Sequence, residues 1–218
     1  MTKTRTAAAL TALAALALLL APGAMQAEAD HNIKSQGVVT GEAAPDFTLT
    51  DTNGTEHSLS DFAGKTVILE WTNKTCPFVR KFYDEGHMQG WQQETTAGGD
   101  VVWLSIDSTN PNHGSFMDAG TWNGFIEQEG INSTAVLLDA DGQVGKAYAA
   151  KTTPHIYIID GEGTLRYQGA IDSIRSAKAK DIDKADNYIV NTLEALANGS
   201  EVSPDTTTAY GCSVKYRT

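Results

Sequence analysis

Cysteine is scarce in this chain of 218 residues, which holds two, Cys76 and Cys212. Two thiols cannot build a multi-disulfide framework or a four-cysteine metal centre. The residue three positions after Cys76 is Val79, which excludes a local Cys-X-X-Cys pair. Histidines are few as well: His31, His57, His87, His113 and His155 are scattered, none at the short spacing of a zinc site, so no metal is expected. Basic charge is also short, with 16 Lys and Arg against 27 Asp and Glu and a formal net charge of -11. That balance argues against nucleic acid as a partner, because phosphate binding relies on clustered Lys and Arg, and it disfavours anionic membrane surfaces. Long apolar runs are missing except for Ala7 to Ala21, which is shorter than the roughly 20 residues that span a bilayer.

That run follows Lys3 and Arg5 and leads into small residues from Pro22 to Ala29, the order of a secretory signal peptide. Residues 1–27 are expected to be removed, with cleavage after Ala27. No cysteine follows the run, so N-terminal lipid attachment is not expected, and the mature protein should be periplasmic or secreted without membrane insertion. About 190 residues remain, enough for one domain with a sizeable core. Residues 28–44 read as an N-terminal arm, 45–199 as the domain, and 200–218 as a C-terminal tail that crosses the surface and carries Cys212.

Within the domain, Phe47 and Leu49 alternate with polar neighbours, Asn53-Gly54 is a turn signal, and His57 and Leu59 return, which predicts an N-terminal β-hairpin. Thr66 to Trp71 reads as a buried central strand. Cys76-Pro77 then opens a helix through Phe78, Val79, Phe82 and Tyr83, bent near Gly86 and resuming from Met88 to Thr95. Further strands are expected at Val101 to Ile106 and Thr134 to Leu138, with helices at Phe116 to Gly130 and Gln143 to Ala150. Ile156 to Ile159 and Leu165 to Tyr167 pair across the Gly161-Glu162-Gly163 turn, and Ile182, Ile189, Leu193 and Leu196 form a helical stripe. Such alternation predicts an α/β fold, a central mixed sheet with helices on both faces.

A cysteine acts as a nucleophile only as thiolate, and a helix N-terminus lowers its pKa without a metal. Cys76 stands at such a place, with Arg80 and Lys81 about one turn on to add positive potential. Sites of this kind hold thiol pKa values of roughly 4 to 7. Asn73 and Thr75 are the candidates for groups facing the sulfur, and Trp71, Phe78, Phe82 and Tyr83 flank it. His155 follows Pro154 in an alternating strand and is expected to point away from Cys76.

The stretch Gly41-Glu42-Ala43-Ala44-Pro45-Asp46-Phe47, the run Ser58 to Lys65, the approach from Thr66 to Cys76, and Thr153-Pro154-His155-Ile156-Tyr157-Ile158-Ile159-Asp160 together resemble the thioredoxin-like superfamily. They are most similar to its redoxin branch, the alkyl hydroperoxide reductase and thiol-specific antioxidant (peroxiredoxin-like) proteins, over residues 41 to about 170. With Asn73 to Val79 and the closing Gly211-Cys212-Ser213-Val214-Lys215, the pattern is similar to a peroxiredoxin-like subgroup. The resemblance implies a thioredoxin-like fold, a cis bond at Pro154 that brings the Thr153 backbone beside Cys76, and thiol oxidoreductase activity that needs no cofactor. Departures go with the matches. Leu69 and Asn73 stand where peroxiredoxins carry Pro and Thr, and Thr153-Pro154 where they carry an Arg.

Three roles stay open for Cys212: a resolving thiol, a permanent staple to Cys76, or an unrelated thiol. On this basis the expected activity is antioxidant or disulfide exchange, on a peroxide or on a protein or small-molecule disulfide, with an external thiol as reductant. Cys76 and Cys212 are the catalytic candidates. Asn73, Thr75, Pro77, Thr153 and Pro154 are the binding candidates. The competing class is a non-catalytic thioredoxin-fold binding module with a structural Cys76–Cys212 disulfide.

Overall fold

The computed structural model describes residues 1–2 and 37–217. The segment expected to be a signal peptide, residues 1–27, and the first part of the arm lie outside the described residues, apart from Met1 and Thr2. All the elements belong to the unit that spans residues 33–218.

Strands β1 (Thr48–Asp51) and β2 (Glu56–Ser58) form the expected hairpin. A 3-10 helix (Leu59–Phe62) follows, then β3 (Thr66–Trp71), five of whose six residues are buried. Helices α1 (Pro77–Tyr83) and α2 (His87–Thr96) meet at Gly86, whose φ of 80° breaks the helical path. Next come β4 (Val101–Asp107), α3 (Ala119–Glu129), β5 (Ala135–Leu138), α4 (Gln143–Ala147), β6 (Thr152–Thr153), β7 (His155–Ile159) and β8 (Leu165–Gly169). A second 3-10 helix (Ala179–Lys184), α5 (Tyr188–Ala197) and β9 (Cys212–Ser213) complete the order.

Seven strands make one mixed sheet in the order β2-β1-β5-β4-β3-β7-β8. β3 sits inside it, parallel to β4 and antiparallel to β7. Because side chains alternate along a strand, the sheet feeds two cores. Ile68, Trp103, Ile156, Ile158 and Tyr167 pack with Val79, Phe82 and Met88 of α1 and α2 and with Ile189 of α5. Val67, Leu69, Trp71, Leu104 and Tyr157 pack on the other face with Val144 and Tyr148 around α4 and with Leu59. The two-sided burial explains the near-continuous apolar runs of β3 and β4.

Three boundaries differ from expectation, each for a local reason. α3 starts at Ala119 rather than Phe116, because Asp118 caps it through the Thr121 N–H at 2.8 Å while Phe116 N–H closes a turn on His113. α4 stops at Ala147, and Ala149 adopts a φ of 51°. The stripe from Ile182 to Leu196 is cut in two, since Asn187 caps a new helix with its side chain accepting from Ile189 and Val190 N–H groups.

The tail differs most, for it is built into the fold. Gln168 N–H and Thr207 N–H lace it to β8 through Asp205 O and Gln168 O, each at 3.0 Å. Tyr210 is buried, and β9 then pairs antiparallel with β6. Asn110 binds the Lys215 carbonyl with both its N–H and its side chain at 2.9 Å, and Tyr216 donates its hydroxyl to Ala150 O at 2.8 Å. Polar composition hid this, because the tail docks through backbone ladders and two tyrosines rather than an apolar stripe.

Candidate active site

β3 delivers the chain into a loop that the Asn73 side chain folds. Its Oδ1 accepts from Thr75 N–H at 3.0 Å and from the Thr75 hydroxyl at 2.6 Å. Its amide donates to Thr109 Oγ1 at 2.9 Å and Ser115 Oγ at 3.1 Å. The Asn73 carbonyl takes the Cys76 N–H at 3.0 Å, which sets Cys76 as the N-cap of α1, and Pro77 occupies the first helical position. Asn73 and Thr75 thus shape the loop, and their side chains are spent on each other and on the neighbouring loop. Cys76 accepts on its carbonyl from the N–H groups of Val79 and Arg80, and the residue is only 2% exposed.

Three chain segments meet at its sulfur. The Thr153–Pro154 bond is cis, and the Cys76 thiol donates to Thr153 O at 2.9 Å. Thr153 pairs with Cys212 in the β6–β9 ladder, and Thr152 with Ser213. Gly211 lies flush on this turn at a φ of 150°, so close that an added Cβ would sit 2.0 Å from Thr153 O. Cys212, half-buried, therefore comes to Cys76 along the cis-proline turn, with both cysteines as free thiols. Among the described residues, the buried Thr153 hydroxyl has no protein partner.

The two thiols have opposite electrostatics. Burial alone would raise the Cys76 pKa, but hydrogen bonds from the Cys212 thiol and from the backbone N–H groups of Cys212 and Val79 outweigh it and hold Cys76 below the ordinary thiol value. Cys212 is pushed up to about 11, first by burial and then by its hydrogen bond to Cys76 and the charge there; Lys215 opposes weakly. Arg80 and Lys81 do not supply the expected potential, because carboxylates neutralise both. Arg80 pairs with Asp84 and with Glu129, the latter at 3.0 Å, and Lys81 with Asp172 at 2.5 Å.

His155 lies on the far face of the sheet beside Tyr157, its Nδ1 bound to Lys151 N–H and the Tyr157 hydroxyl. Burial, and next the charge of Lys151, lowers its pKa to about 4. Arg166 pairs with Asp160 at 3.2 Å and Arg175 is exposed, so neither stands in for the arginine missing at Thr153. Sequence reasoning missed Tyr210 and Asp172, which with Lys81 form a buried cluster between α1 and the tail. The available signal was the placement of Lys81 beside Phe82 on a helix face that has to be buried.

A model of the AhpC/TSA family matches residues 40–168. The thiol-disulfide oxidoreductase ResA of Geobacillus thermodenitrificans is 27% identical over 158 residues, 69% of this chain and 80% of that protein. Chloroplastic peroxiredoxin Q of Triticum aestivum is 27% identical over 169 residues, 70% of this chain and 69% of its own length. Among solved structures, an uncharacterized conserved protein from Geobacillus kaustophilus superposes with a TM-score of 0.70 at 24% identity, over 82% of this chain and 93% of that one. A hypothetical protein from Sinorhizobium meliloti 1021 gives 0.69 at 22% identity, over 83% and 96%. The family match ends before the tail, so Cys212 is placed by geometry alone. The matched span exceeds half the chain and carries Cys76, Thr153 and Pro154 on a thioredoxin-like sheet: the chain belongs to the AhpC/TSA family of thiol oxidoreductases.

Proposed function

We propose that the protein is an exported thiol-disulfide oxidoreductase in which Cys76 attacks and Cys212 resolves. The Cys76 thiolate attacks one sulfur of a protein or small-molecule disulfide, the S–S bond breaks, and one substrate sulfur leaves as a thiolate that takes up a proton. Cys212 then attacks the Cys76 sulfur of the mixed disulfide. A Cys76–Cys212 bond forms, the second substrate thiolate leaves, and the proton of Cys212 goes with it. The substrate gains two electrons, the protein dithiol loses two, and an external thiol restores it.

One observation carries this reading. The β6–β9 ladder sets Cys212 opposite Thr153, the residue whose carbonyl holds the Cys76 thiol. The pKa asymmetry supports the division of roles, since the lower-pKa thiol is the better attacker at neutral pH. The Thr153 hydroxyl, which has no protein partner among the described residues, and Pro154 are the groups left for an incoming disulfide segment, because the Thr153 backbone is taken by β9 and Cys76. Disulfide exchange is favoured over peroxide reduction because the arginines available to polarise an O–O bond are paired or exposed. Export rests on the tripartite N-terminal pattern, and periplasmic or secreted location follows from it. No described helix is long and apolar enough to cross a membrane.

Mass spectrometry after reaction with an excess of a small disulfide tests the scheme. The wild type should give the Cys76–Cys212 bond, and Cys212→Ser should trap substrate on Cys76. A folded protein with an unreactive Cys76, or one trapped only on Cys212, overturns it. Hydrogen peroxide should oxidise Cys76 no faster than a free thiol, and a much faster reaction would move the assignment to peroxide reduction. Partner capture left unchanged by Cys76→Ser would favour the binding-module alternative.

A further inference from the structure

The tail approaches Cys76 through a buried polar cluster that the reaction scheme does not use. Tyr210, two residues before Cys212, donates its hydroxyl to Asp172 Oδ1. Lys81 donates to Asp172 Oδ2 at 2.5 Å, to Tyr210 Oη at 3.2 Å and to Ile174 O at 3.3 Å. The side chains of Lys81 and Asp172 are 0% and 2% exposed. The Tyr210 ring also meets Phe78 edge-on at 5.8 Å.

A buried ion pair is a weak source of stability, because desolvation offsets the attraction and apolar residues of the same size often serve as well or better. What such a cluster does supply is position. The Tyr210 hydroxyl is held from two directions by groups of opposite charge, so one placement of the ring satisfies both. Lys81 and Phe78 sit on α1, the helix that Cys76 caps. Gly211, the residue between Tyr210 and Cys212, is pinned on the Thr153–Pro154 turn. The two sulfur-bearing segments are therefore joined by a route that bypasses the sulfurs.

We infer that Lys81, Asp172 and Tyr210 form a positioning clamp that holds Cys212 in register for the resolving attack on Cys76. This rests on the resolving role proposed above. The clamp touches neither sulfur, so the first attack by Cys76 proceeds without it. When Cys76 carries a substrate sulfur, the clamp keeps Cys212 poised beside that bond.

Stopped-flow mixing of the reduced full chain with one equivalent of a bis(nitrobenzoate) disulfide separates the two steps. Attack releases one coloured thiolate and resolution a second. Tyr210→Phe keeps the ring and removes the hydroxyl; the first phase should not slow, since a looser tail only uncovers Cys76, and the second should slow at least about tenfold, with the glutathione equilibrium shifted toward the dithiol by about tenfold, or about 30 mV. A double variant, Lys81→Met with Asp172→Leu, should fold as well as the wild type and show the same slow second phase. An unchanged second phase in either folded variant, or equal slowing of both phases, overturns the clamp. The resolving role has its own control. If the wild type releases only one equivalent, or Cys212→Ser releases two, that role fails and the clamp with it.

Discussion

Gly211→Ala tests whether the tail holds Cys212 by backbone fit. The new Cβ would meet Thr153 O at 2.0 Å, Thr153 C at 2.7 Å and Pro154 N at 3.2 Å. Carbon contacts are comfortable only near 3.5 Å, so β9 has to retreat by about 1 Å or more. Because the obstacle is backbone, no rotamer change relieves it. A non-glycine residue at this φ of 150° adds about 1–3 kcal/mol of strain, and overpacking about 1–3 kcal/mol more. The β6–β9 ladder opposes this with two residue pairs, and a net hydrogen bond is worth only about 1 kcal/mol. The balance favours local release of β9 by about 2 kcal/mol, an open-to-closed ratio of about 30.

Alkylation of Cys76 by iodoacetamide should therefore speed up at least about tenfold, because the sulfur is uncovered, while Cys76–Cys212 bond formation slows. Gly130→Ala is the control. That residue caps α3 at a φ of 63° with no atom near its Cβ, so it imposes strain without collision and should leave Cys76 alkylation unchanged. If Gly211→Ala matches the wild type in both alkylation and bond formation, the tail is not held by this fit.

In Cys76→Ala the pKa of Cys212 should fall from about 11, because the hydrogen bond and charge of Cys76 go while burial stays; the pH profile of maleimide labelling measures it. His155 binds its proton only near pH 4 in the folded chain, against about 6.5 when unfolded. Between those values the unfolded state holds more protons, so its contribution is intact above about pH 6.5 and is lost as pH falls toward 4, by up to about 3 kcal/mol. Glu70 and Asp139, whose pKa values burial raises, act in the opposite sense. The difference in urea midpoints between wild type and His155→Gln should accordingly narrow on acidification. Asn187→Ala removes the α5 cap and should cost about 1 kcal/mol, a fall in Tm of about 2–4 °C in a thermal melt.

The sheet was legible because its strands are read by burial. β3 and β4 are apolar on both faces, and Cys76-Pro77 announces a helix start in a way no other dipeptide of the chain does. Pro154 was legible only through the resemblance, since Thr-Pro alone carries no sign of a cis bond. The role of Cys212 was not legible, because its docking depends on Gly211 fitting a backbone turn, on Asn110 and on Tyr216, contacts spread over more than 100 residues of sequence. Lys81 shows the same limit from the other side: its charge is visible, but Asp172, which cancels it, comes from a distant loop.

The distance in sequence between the two thiols has a thermodynamic consequence that separates a working redox pair from a staple. A Cys76–Cys212 bond closes a loop of more than 100 residues, which in the unfolded chain is worth about 5 kcal/mol of entropy. Denaturant unfolding of the oxidised protein should therefore exceed that of the reduced protein by about this amount. Linkage works in reverse as well: the fold favours the bond by the same 5 kcal/mol, which lowers its potential by about 100 mV relative to an unstructured thiol pair. The lowered pKa of Cys76 stabilises the reduced form and pulls the potential back up. A pair poised for exchange needs these two effects to be comparable. Equilibration with glutathione reads the outcome: a potential above about -300 mV is that of an exchanging pair, whereas a bond more reducing than this, slow to open in glutathione, would make Cys212 a staple and refute its resolving role.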